Sequence, residues 1–209
     1  MTDRYAIIGN PIAQAKSPAL QTAFARQCGH DLSYGAIFAE LDGFVAGVRA
    51  FQASGGKGMN ITMPFKLEAF QLADTLTPRG RAAGAINMFS FLPDGSILGD
   101  NTDGFGIVRD ITHNLGVALR GKRVLLLGAG GAVRGTLLPL FDQSPAEVFI
   151  ANRTVAKATD LADEFRPHAR GITLSGGGFA DIPGTFDVVI NGSAASMSND
   201  VPPLPASIW

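Results

Sequence analysis

The chain has 209 residues, of which 46% are hydrophobic and 17% charged, and its formal net charge is −1 at pH 7. This is the composition of an ordinary globular protein, and the near-neutral charge gives no indication of nucleic acid or a membrane surface as a partner. The single cysteine, Cys28, excludes an intrachain disulfide framework and fits a reducing compartment, so we expect a cytoplasmic protein. No Cys and His cluster has metal-ligand spacing and no apolar run approaches ~18 residues, so we expect neither a metal site nor a membrane span.

The first half of the chain alternates predicted strands and helices. Short apolar runs bounded by glycine, proline or polar residues predict the strands, and apolar residues at helical spacing predict the helices. The pair Ser17-Pro18 indicates a helix N-cap followed by a first-turn proline. Predicted strands cover residues 5–8, 33–39, 58–62, 85–91 and 96–98, and further predicted helices cover 41–53 and begin at Pro64 and near Ile107.

The second half follows a β-α-β-α-β pattern, which predicts a parallel sheet covered by helices. Its predicted strands are residues 123–127, 147–151, 171–174 and 187–190. A glycine-flanked stretch at 116–121 indicates the domain boundary, so we predict one domain over residues 1–117 and a second over 118–209. A dinucleotide-binding sheet usually has about six strands, so we expect this domain to be incomplete here and the natural chain to continue beyond Trp209.

The segment RVLLLGAGGAVRG, residues 123–135, carries the clearest ligand-binding pattern. An apolar strand runs into glycines and then into a helix, whose first N–H groups and dipole favour an anion such as a pyrophosphate. The pattern is not a strict GxGxxG, because Val133 occupies the third glycine position, and a tight turn without a ligand is the alternative. The predicted pyrophosphate loop consists of Gly128, Ala129, Gly130, Gly131 and Ala132.

The end of the next predicted strand indicates which dinucleotide is bound. The strand over 147–151 is followed by Asn152, Arg153 and Thr154. An NAD site usually places an acidic residue here, whereas an arginine suits the 2′-phosphate of NADP. Lys157, one helical turn later, is a second positive charge, although a solvated helix start remains the alternative for both residues.

Polar islands end several strands of the first domain, at residues 9–17, at 60–66, and at Asn87 together with 100–103. Strand ends are the usual ligand edge of an α/β sheet, and this mixture of hydroxyls, carboxamides, an ammonium and a carboxylate suits a small polyhydroxy acid. A pair formed by Lys66 and Asp103 could move a proton at a substrate hydroxyl while a hydride leaves its carbon. The alternatives are a solvated first-turn lysine and a helix N-cap aspartate.

Seven motifs in order resemble the shikimate dehydrogenase family over essentially the whole chain. They are GNPIAQAKSP (9–18), GGKGMNITMPFK (55–66), GAINM (84–88), GDNTDG (99–104), GAGGAVRG (128–135), ANRT (151–154) and the loop after Ile190. The resemblance implies an α/β protein with an N-terminal substrate-binding domain and a Rossmann-like NADP-binding domain. It also implies reversible NADPH-dependent reduction of 3-dehydroshikimate to shikimate, a step towards chorismate and the aromatic amino acids, by a monomer or homodimer.

The resemblance assigns roles to residues that match the family motifs. Lys66 and Asp103 would be the catalytic pair at the reacting hydroxyl, and Ser17 would help to bind the substrate carboxylate. The other implied substrate contacts are Asn60, Thr62 and Asn87. The implied cofactor contacts are Gly128 to Ala132 at the pyrophosphate, Asn152, Arg153, Thr154 and Lys157 at the adenosine ribose phosphate, and Asn191 and Ser193 in a further loop.

Three departures from the family pattern accompany these matches. Ala15 replaces a serine, which removes one hydroxyl from the implied carboxylate site, and Ser196 replaces a glycine in the loop after Ile190. The family also continues well beyond Trp209. Two other functions therefore stay open at this point: a quinate/shikimate dehydrogenase with wider substrate and cofactor use, and a non-catalytic dehydrogenase-like protein that binds a dinucleotide.

Overall fold

The computed structural model describes residues 2–193, 202–205 and 208, and its contacts divide the chain into two compact units, Met1–Thr102 and Asp103–Trp209. Each unit contains one sheet with helices, so the predicted α/β class is confirmed. The division falls before the predicted boundary between residues 117 and 118 because the helix that begins at Asp103 packs within the second unit. A Cβ on Gly104 of that helix would lie 2.2 Å from the carbonyl oxygen of Gly135.

The first unit contains a six-stranded mixed sheet in the order β2-β1-β3-β5-β6-β4. Strand β1 lies between the parallel strands β2 and β3, and β5 pairs antiparallel with both β3 and β6. The strands are β1 (Asp3–Gly9), β2 (Leu32–Phe38), β3 (Gly58–Ile61), β4 (Thr75–Leu76), β5 (Met88–Phe91) and β6 (Ile97–Asp100). The helices are α1 (Ser17–Cys28), α2 (Phe44–Ala53), α3 (Lys66–Leu72) and α4 (Pro78–Ala83).

One face of this sheet packs into the hydrophobic core and the other carries polar side chains. Alternate residues of β1 and β3, such as Ala6 and Met59, are buried in the core beside Phe44, whose ring stacks on that of Phe65 at 4.9 Å. Because successive side chains of a strand point to opposite faces, Ile7 and its register partner Asn60 lie on the opposite face of the sheet. Asn60, the predicted substrate-binding residue of β3, is therefore directed away from the core.

Two features of the first unit differ from the sequence prediction. Lys16 rather than Ser17 is the N-cap of α1, and Ser17 is the first helical residue with Pro18 behind it. The sequence analysis also missed β4 and α4, both of which are very short. Thr77 begins α4 as a true N-cap, because its hydroxyl accepts a hydrogen bond from the Gly80 backbone N–H at 3.1 Å.

The second unit contains a four-stranded parallel sheet in the order β10-β7-β8-β9, which read from β9 matches the 3-2-1-4 part of the strand order of a doubly wound dinucleotide sheet. Four strands were predicted, and β7 and β8 have the predicted bounds. The strands are β7 (Arg123–Leu127), β8 (Glu147–Ala151), β9 (Thr173–Gly177) and β10 (Val188–Asn191). The helices are α5 (Asp103–Arg109), which continues into a π-helical turn (Asp110–Asn114), α6 (Gly131–Phe141) and α7 (Val155–Phe165).

Both faces of the second sheet are buried. Residues such as Leu126 pack against α6 and α7, whereas Leu125 and Leu127 pack in a smaller cluster that includes Ile208. Helix α7 lies close to β9, since a Cβ on Gly176 would come within 2.2 Å of the Ala158 carbonyl oxygen. No helix among the described residues is long and apolar enough to cross a membrane.

Candidate functional site

The first unit brings two of the predicted substrate residues together through hydrogen bonds. The Asn60 Nδ2 donates to the backbone carbonyl of Asn87 at 3.2 Å. The Asn87 side chain, only 7% exposed, is held in turn by Thr102: its Nδ2 donates to the Thr102 hydroxyl at 3.1 Å, and its Oδ1 accepts from the Thr102 backbone N–H at 3.0 Å. Both carboxamides are therefore fixed. Thr102 lies in the polar stretch predicted at residues 100–103, but its role in holding Asn87 was not predicted.

Tyr34 of β2 extends this group of side chains. Its hydroxyl donates a hydrogen bond to the Oδ1 of Asn60. Burial raises the pKa of Tyr34 to about 12, although a backbone hydrogen bond of Asn60 opposes part of that rise. The phenol is therefore neutral at physiological pH and keeps the proton that it donates. Sequence reasoning placed Tyr34 in a strand but could not show that it reaches a residue on another strand.

Thr62 and Lys66 lie where β3 ends and α3 begins. The Thr62 backbone N–H donates to the Ile8 carbonyl at 3.0 Å, and a Cβ on Gly9 would lie 2.4 Å from the Thr62 methyl group, so only glycine fits there. The Lys66 carbonyl accepts from the Ile86 backbone N–H at 2.8 Å, which places Lys66 beside the segment that carries Asn87. Asn60, Thr62 and Asn87 thus lie at the adjoining ends of β3 and β5, and Lys66 begins the helix that follows β3.

Ser17 lies apart from this hydrogen-bonded group. It is half-buried in the first turn of α1, and its hydroxyl forms no hydrogen bond with the carboxamides among the described residues. Since Lys16 is the N-cap, the Ser17 hydroxyl is not used to cap the helix. Its predicted contact with a substrate carboxylate stays a prediction, as does the effect of Ala15.

An ion pair between a buried carboxylate and a half-exposed arginine holds the segment that leads to Asp103. Asp100 is 4% exposed and forms a two-bond ion pair with Arg79, whose Nε donates at 2.7 Å. The Thr77 hydroxyl and the Asn101 backbone N–H also donate to Asp100, at 2.6 and 2.8 Å. The hydrogen bond from Arg79 is the main cause that lowers the pKa of Asp100, against the opposing effect of burial.

Asp103 is the first residue of α5 and is half-buried. It follows Thr102 directly in the chain, and Thr102 is the residue that holds the Asn87 carboxamide. Lys66 belongs to the first unit and Asp103 to the second. The pairing of their side chains in catalysis stays a prediction.

In the second unit the predicted glycine loop connects β7 to α6. Gly128 has a φ of +104°, which favours glycine, and a Cβ there would also be crowded, since it would lie 3.1 Å from the Gly192 carbonyl oxygen. Val133 at the third glycine position is buried, and the close approach is made by the facing loop: a Cβ on Gly192 would lie 2.7 Å from a Val133 methyl group. The non-standard motif is thus compensated by a glycine elsewhere in the chain.

The N-terminus of α6 has the properties of a pyrophosphate site. Gly130 is the N-cap, is exposed, and has open space where a Cβ would be. The first turn of the helix contains no acidic residue. First-turn N–H groups have no partner within a helix, and with the helix dipole they attract an anion. The glycine loop therefore fits the pyrophosphate of a dinucleotide.

The segment after β8 presents positive charge at the same end of the sheet. Asn152 shapes the turn, since its Nδ2 donates to the Thr154 carbonyl at 2.9 Å, and Arg153, Thr154 and Lys157 are exposed. Thr154 is the N-cap of α7 but its side chain makes no capping bond, and the first turn carries no acid. Within the described part of the chain, Arg153 has no ion-pair partner. These residues fit a phosphate on the adenosine ribose.

The loop after β10 is held beside the glycine loop. The Gly192 backbone N–H donates to the Leu127 carbonyl at 2.9 Å. The Asn191 Oδ1 accepts from the Ser193 backbone N–H at 3.0 Å and from its hydroxyl at 2.7 Å, so Asn191 shapes this loop. Contacts of Asn191 and Ser193 with a cofactor stay a prediction, and Ser196 lies outside the described residues.

Comparisons with known proteins agree with this arrangement. A family model described as "Shikimate dehydrogenase substrate binding domain" matches residues 7–89, and one described as "Shikimate / quinate 5-dehydrogenase" matches residues 110–198. The chain is 56% identical over 208 residues to the shikimate dehydrogenase (NADP(+)) of Aromatoleum aromaticum, which covers 99% of this chain and 74% of that protein.

Solved structures also match this chain over nearly its whole length. An Ael1 enzyme from Pseudomonas putida is 50% identical with a TM-score of 0.86, covering 98% of this chain and 74% of that one. Shikimate 5-dehydrogenase of Thermus thermophilus, in complex with NADP(H) and shikimate, is 27% identical with a TM-score of 0.80 over 98% of this chain and 73% of that one. On these matches and on its two sites, the chain belongs to the shikimate dehydrogenase family.

Proposed function

We propose that the protein is an NADP-dependent shikimate dehydrogenase, which reversibly reduces 3-dehydroshikimate to shikimate on the way to chorismate and the aromatic amino acids. The observation that carries the proposal is an identity above 50% to relatives named shikimate dehydrogenase (NADP(+)) over nearly the whole chain. The geometry supports it independently, because a polar carboxamide site and a pyrophosphate loop are both present. The non-catalytic alternative is not favoured, since relatives this similar carry the name of the enzyme.

The second unit fits NADP better than NAD. Gly130 leaves room for phosphate oxygens, the first turn of α6 has no acid to repel them, and Arg153 is exposed where an NAD site would carry a carboxylate. The guanidinium of Arg153 would bind the 2′-phosphate through charge-assisted hydrogen bonds. When bound, the reduced cofactor supplies the hydride that the reaction requires.

In the first unit, Asn60, Thr62 and Asn87 would hold the hydroxyl groups of the substrate, and Ser17 would bind its carboxylate. Reduction of the ketone also requires a proton at the carbonyl oxygen, which becomes the product hydroxyl. Lys66 would donate that proton, and Asp103 would position the Lys66 ammonium and stabilise its charge. In the reverse direction Lys66 would accept the hydroxyl proton.

A cytoplasmic location is supported by the single cysteine, which is free and exposed. We propose a monomer or a homodimer, with no nucleic-acid or membrane partner.

The test is steady-state turnover of shikimate with NADP by the purified protein, followed through the absorbance of NADPH. We expect a rate typical of dehydrogenases, ~10 s⁻¹, and a lower kcat/KM when NAD replaces NADP or quinate replaces shikimate. Absence of turnover with every pairing of these substrates and cofactors would overturn the enzyme assignment. Equal kcat/KM for quinate would instead favour the wider quinate/shikimate activity.

A further inference from the structure

We propose that Tyr34 is a positioning residue for the substrate site, which fixes the Asn60 carboxamide so that an N–H of Asn60 is presented to a substrate oxygen. The inference rests on the proposed function and deepens it, because it states how Asn60 recognises its ligand.

The Asn60 carboxamide has one donor nitrogen with two hydrogens and one acceptor oxygen. One hydrogen of Nδ2 is used by the Asn87 carbonyl at 3.2 Å, and Oδ1 accepts from the Tyr34 hydroxyl. A backbone carbonyl is only an acceptor, so the nitrogen of the amide must face Asn87 and the oxygen must face Tyr34. The second Nδ2 hydrogen has no acceptor within the described part of the chain, and Asn60 is half-buried rather than fully exposed.

The sheet register explains how Tyr34 reaches Asn60 across the strand between them. Tyr34 is aligned with Tyr5 of β1, and Asn60 is aligned with Ile7. Tyr5 and Ile7 are two residues apart, so all four side chains leave the sheet on one face, opposite to the core face. The Tyr34 side chain therefore crosses β1 diagonally and meets Asn60 on the side where the substrate residues lie.

Tyr34 is suited to this role chemically. Burial raises its pKa to about 12, so the hydroxyl remains a donor throughout the pH range in which an enzyme works. Its single proton is committed to the Asn60 oxygen. Because both ends of the Asn60 amide are held, its second Nδ2 hydrogen points in a fixed direction. A substrate hydroxyl or carbonyl oxygen is the kind of acceptor that it can bind. Tyr34 then contributes to substrate affinity without itself being a catalytic residue.

The test compares Tyr34→Phe with Tyr5→Phe in the purified protein. The chain has two tyrosines, and Tyr5 lies on the same sheet face but has no side-chain hydrogen bond among the described residues, so it is a matched control. Loss of one hydrogen bond between neutral groups corresponds to roughly a threefold to tenfold change. We expect Tyr34→Phe to raise the KM for shikimate by that factor, with kcat and the KM for NADP changed less than twofold, and Tyr5→Phe to change none of them.

A double-variant cycle identifies the residue through which Tyr34 acts. If Tyr34 acts through Asn60, Tyr34→Phe changes the KM by less than twofold in an Asn60→Ala background. A full Tyr34→Phe effect in that background, or a wild-type KM in Tyr34→Phe, would overturn the inference. Titration of the Tyr5→Phe variant by phenolate absorbance, where Tyr34 is the remaining tyrosine, is expected to give a pKa of about 12.

Failure of the proposed function has a different signature. A wild-type protein that neither binds shikimate by calorimetry nor turns it over overturns the enzyme assignment, and the inference about Tyr34 with it. An active wild type for which the Tyr34→Phe and Tyr5→Phe variants are indistinguishable overturns the inference alone. Thermal unfolding of each variant separates loss of affinity from loss of folded protein.

Discussion

The two units build their candidate sites from different material. The site in the first unit consists of side chains that hold other side chains, with Tyr34, Asn60, Asn87 and Thr102 in one hydrogen-bonded series. The site in the second unit consists mainly of backbone, with glycine where a side chain would obstruct. The first arrangement is suited to recognising the detailed shape of a small polar molecule, whereas the second is suited to an anion that many proteins bind in the same way.

This difference predicts different consequences of substitution. Replacing a side chain in the first unit removes a specific contact and leaves the fold intact, so activity changes before stability does. Adding a side chain in the second unit obstructs the phosphates or strains the backbone.

The largest effect is expected from Lys66→Met. Removing a residue that transfers a proton lowers the rate by about 10²–10⁴, so we expect kcat for shikimate oxidation to fall by that factor with unchanged thermal stability. Lys57→Met is the matched control, because Lys57 is exposed and precedes β3 whereas Lys66 follows it. A kcat within tenfold of the wild type would remove Lys66 from the mechanism.

Combining Lys66→Met with Asp103→Asn tests whether the two residues act together. Groups that act together are strongly non-additive, so the double variant should be little slower than Lys66→Met alone. Multiplicative losses would mean that the two residues act independently.

The next effect concerns the charge at the end of β8. We expect Arg153→Ala to lower the ratio of kcat/KM for NADP over NAD by roughly tenfold to a hundredfold, which corresponds to lost hydrogen bonds between charged groups. Arg120→Ala is the control, because Arg120 is also exposed but precedes β7, at the opposite end of the parallel sheet. Kinetics with both cofactors give the ratio. An unchanged ratio would show that another group selects the cofactor.

The glycine loop offers a pair of substitutions that separate fold from ligand. Gly128 has a φ of +104° and a crowded Cβ position, so Gly128→Ala should destabilise the protein by about 1–3 kcal/mol. Gly130 has a φ of −93° and open space, so Gly130→Ala should leave the free energy of unfolding within about 0.5 kcal/mol. Gly130→Ala should nevertheless weaken NADP binding, since the added methyl group faces the predicted phosphates. Urea denaturation and calorimetry measure the two effects, and unaltered NADP affinity in Gly130→Ala would contradict the backbone site.

The same contrast explains what the sequence could predict. A backbone site leaves a local signature in the sequence. The succession of strand, glycines and helix predicted the loop at Gly128, and the end of the next predicted strand indicated Arg153. Its close approach to Gly192 could not be predicted, because it depends on how β10 pairs with β7. That Gly192 makes room for Val133 could therefore be seen only once the fold was known.

Side-chain networks are harder to predict because they join residues that are distant in the chain. The polar stretches of the sequence included Asn60, Asn87 and Thr102, but the contact of Tyr34 with Asn60 depends on the strand order β2-β1-β3. The contact of Thr102 with Asn87 depends on the pairing of β5 with β6. Ser17 was misassigned as an N-cap since a Ser-Pro pair commonly begins a helix, whereas Lys16 takes that position here. Element α4, only six residues long, was missed because so short a helix has no clear periodicity.

The smallest effect is expected at the ion pair between Arg79 and Asp100, which stabilises the fold of the first unit rather than its chemistry. Asp100 has a lowered pKa, chiefly because of the hydrogen bond from Arg79 and despite burial, with a further hydrogen bond from Thr77. A carboxyl group whose folded-state pKa is lowered adds stability above its unfolded pKa, which is ~3.9. That stability is lost as the pH falls through the folded-state pKa, because protonation then no longer distinguishes the two states.

Arg79→Gln removes the main cause of the lowered pKa. We expect the free energy of unfolding at pH 7 to fall by about 1–2 kcal/mol, at the lower end for a bond between charged groups, because the Arg79 side chain is 48% exposed and Asp100 keeps its bonds to Thr77 and Asn101. The difference from the wild type should shrink as the pH falls below ~3.9, where Asp100 of the unfolded chain becomes protonated, and disappear below the lowered folded-state pKa of Asp100. Arg81→Gln, an exposed arginine on the same helix with no ion pair among the described residues, should show neither effect. Urea denaturation between neutral and acidic pH measures this, and a pH-independent difference would mean that Arg79 stabilises the unit by packing instead of through the charge of Asp100.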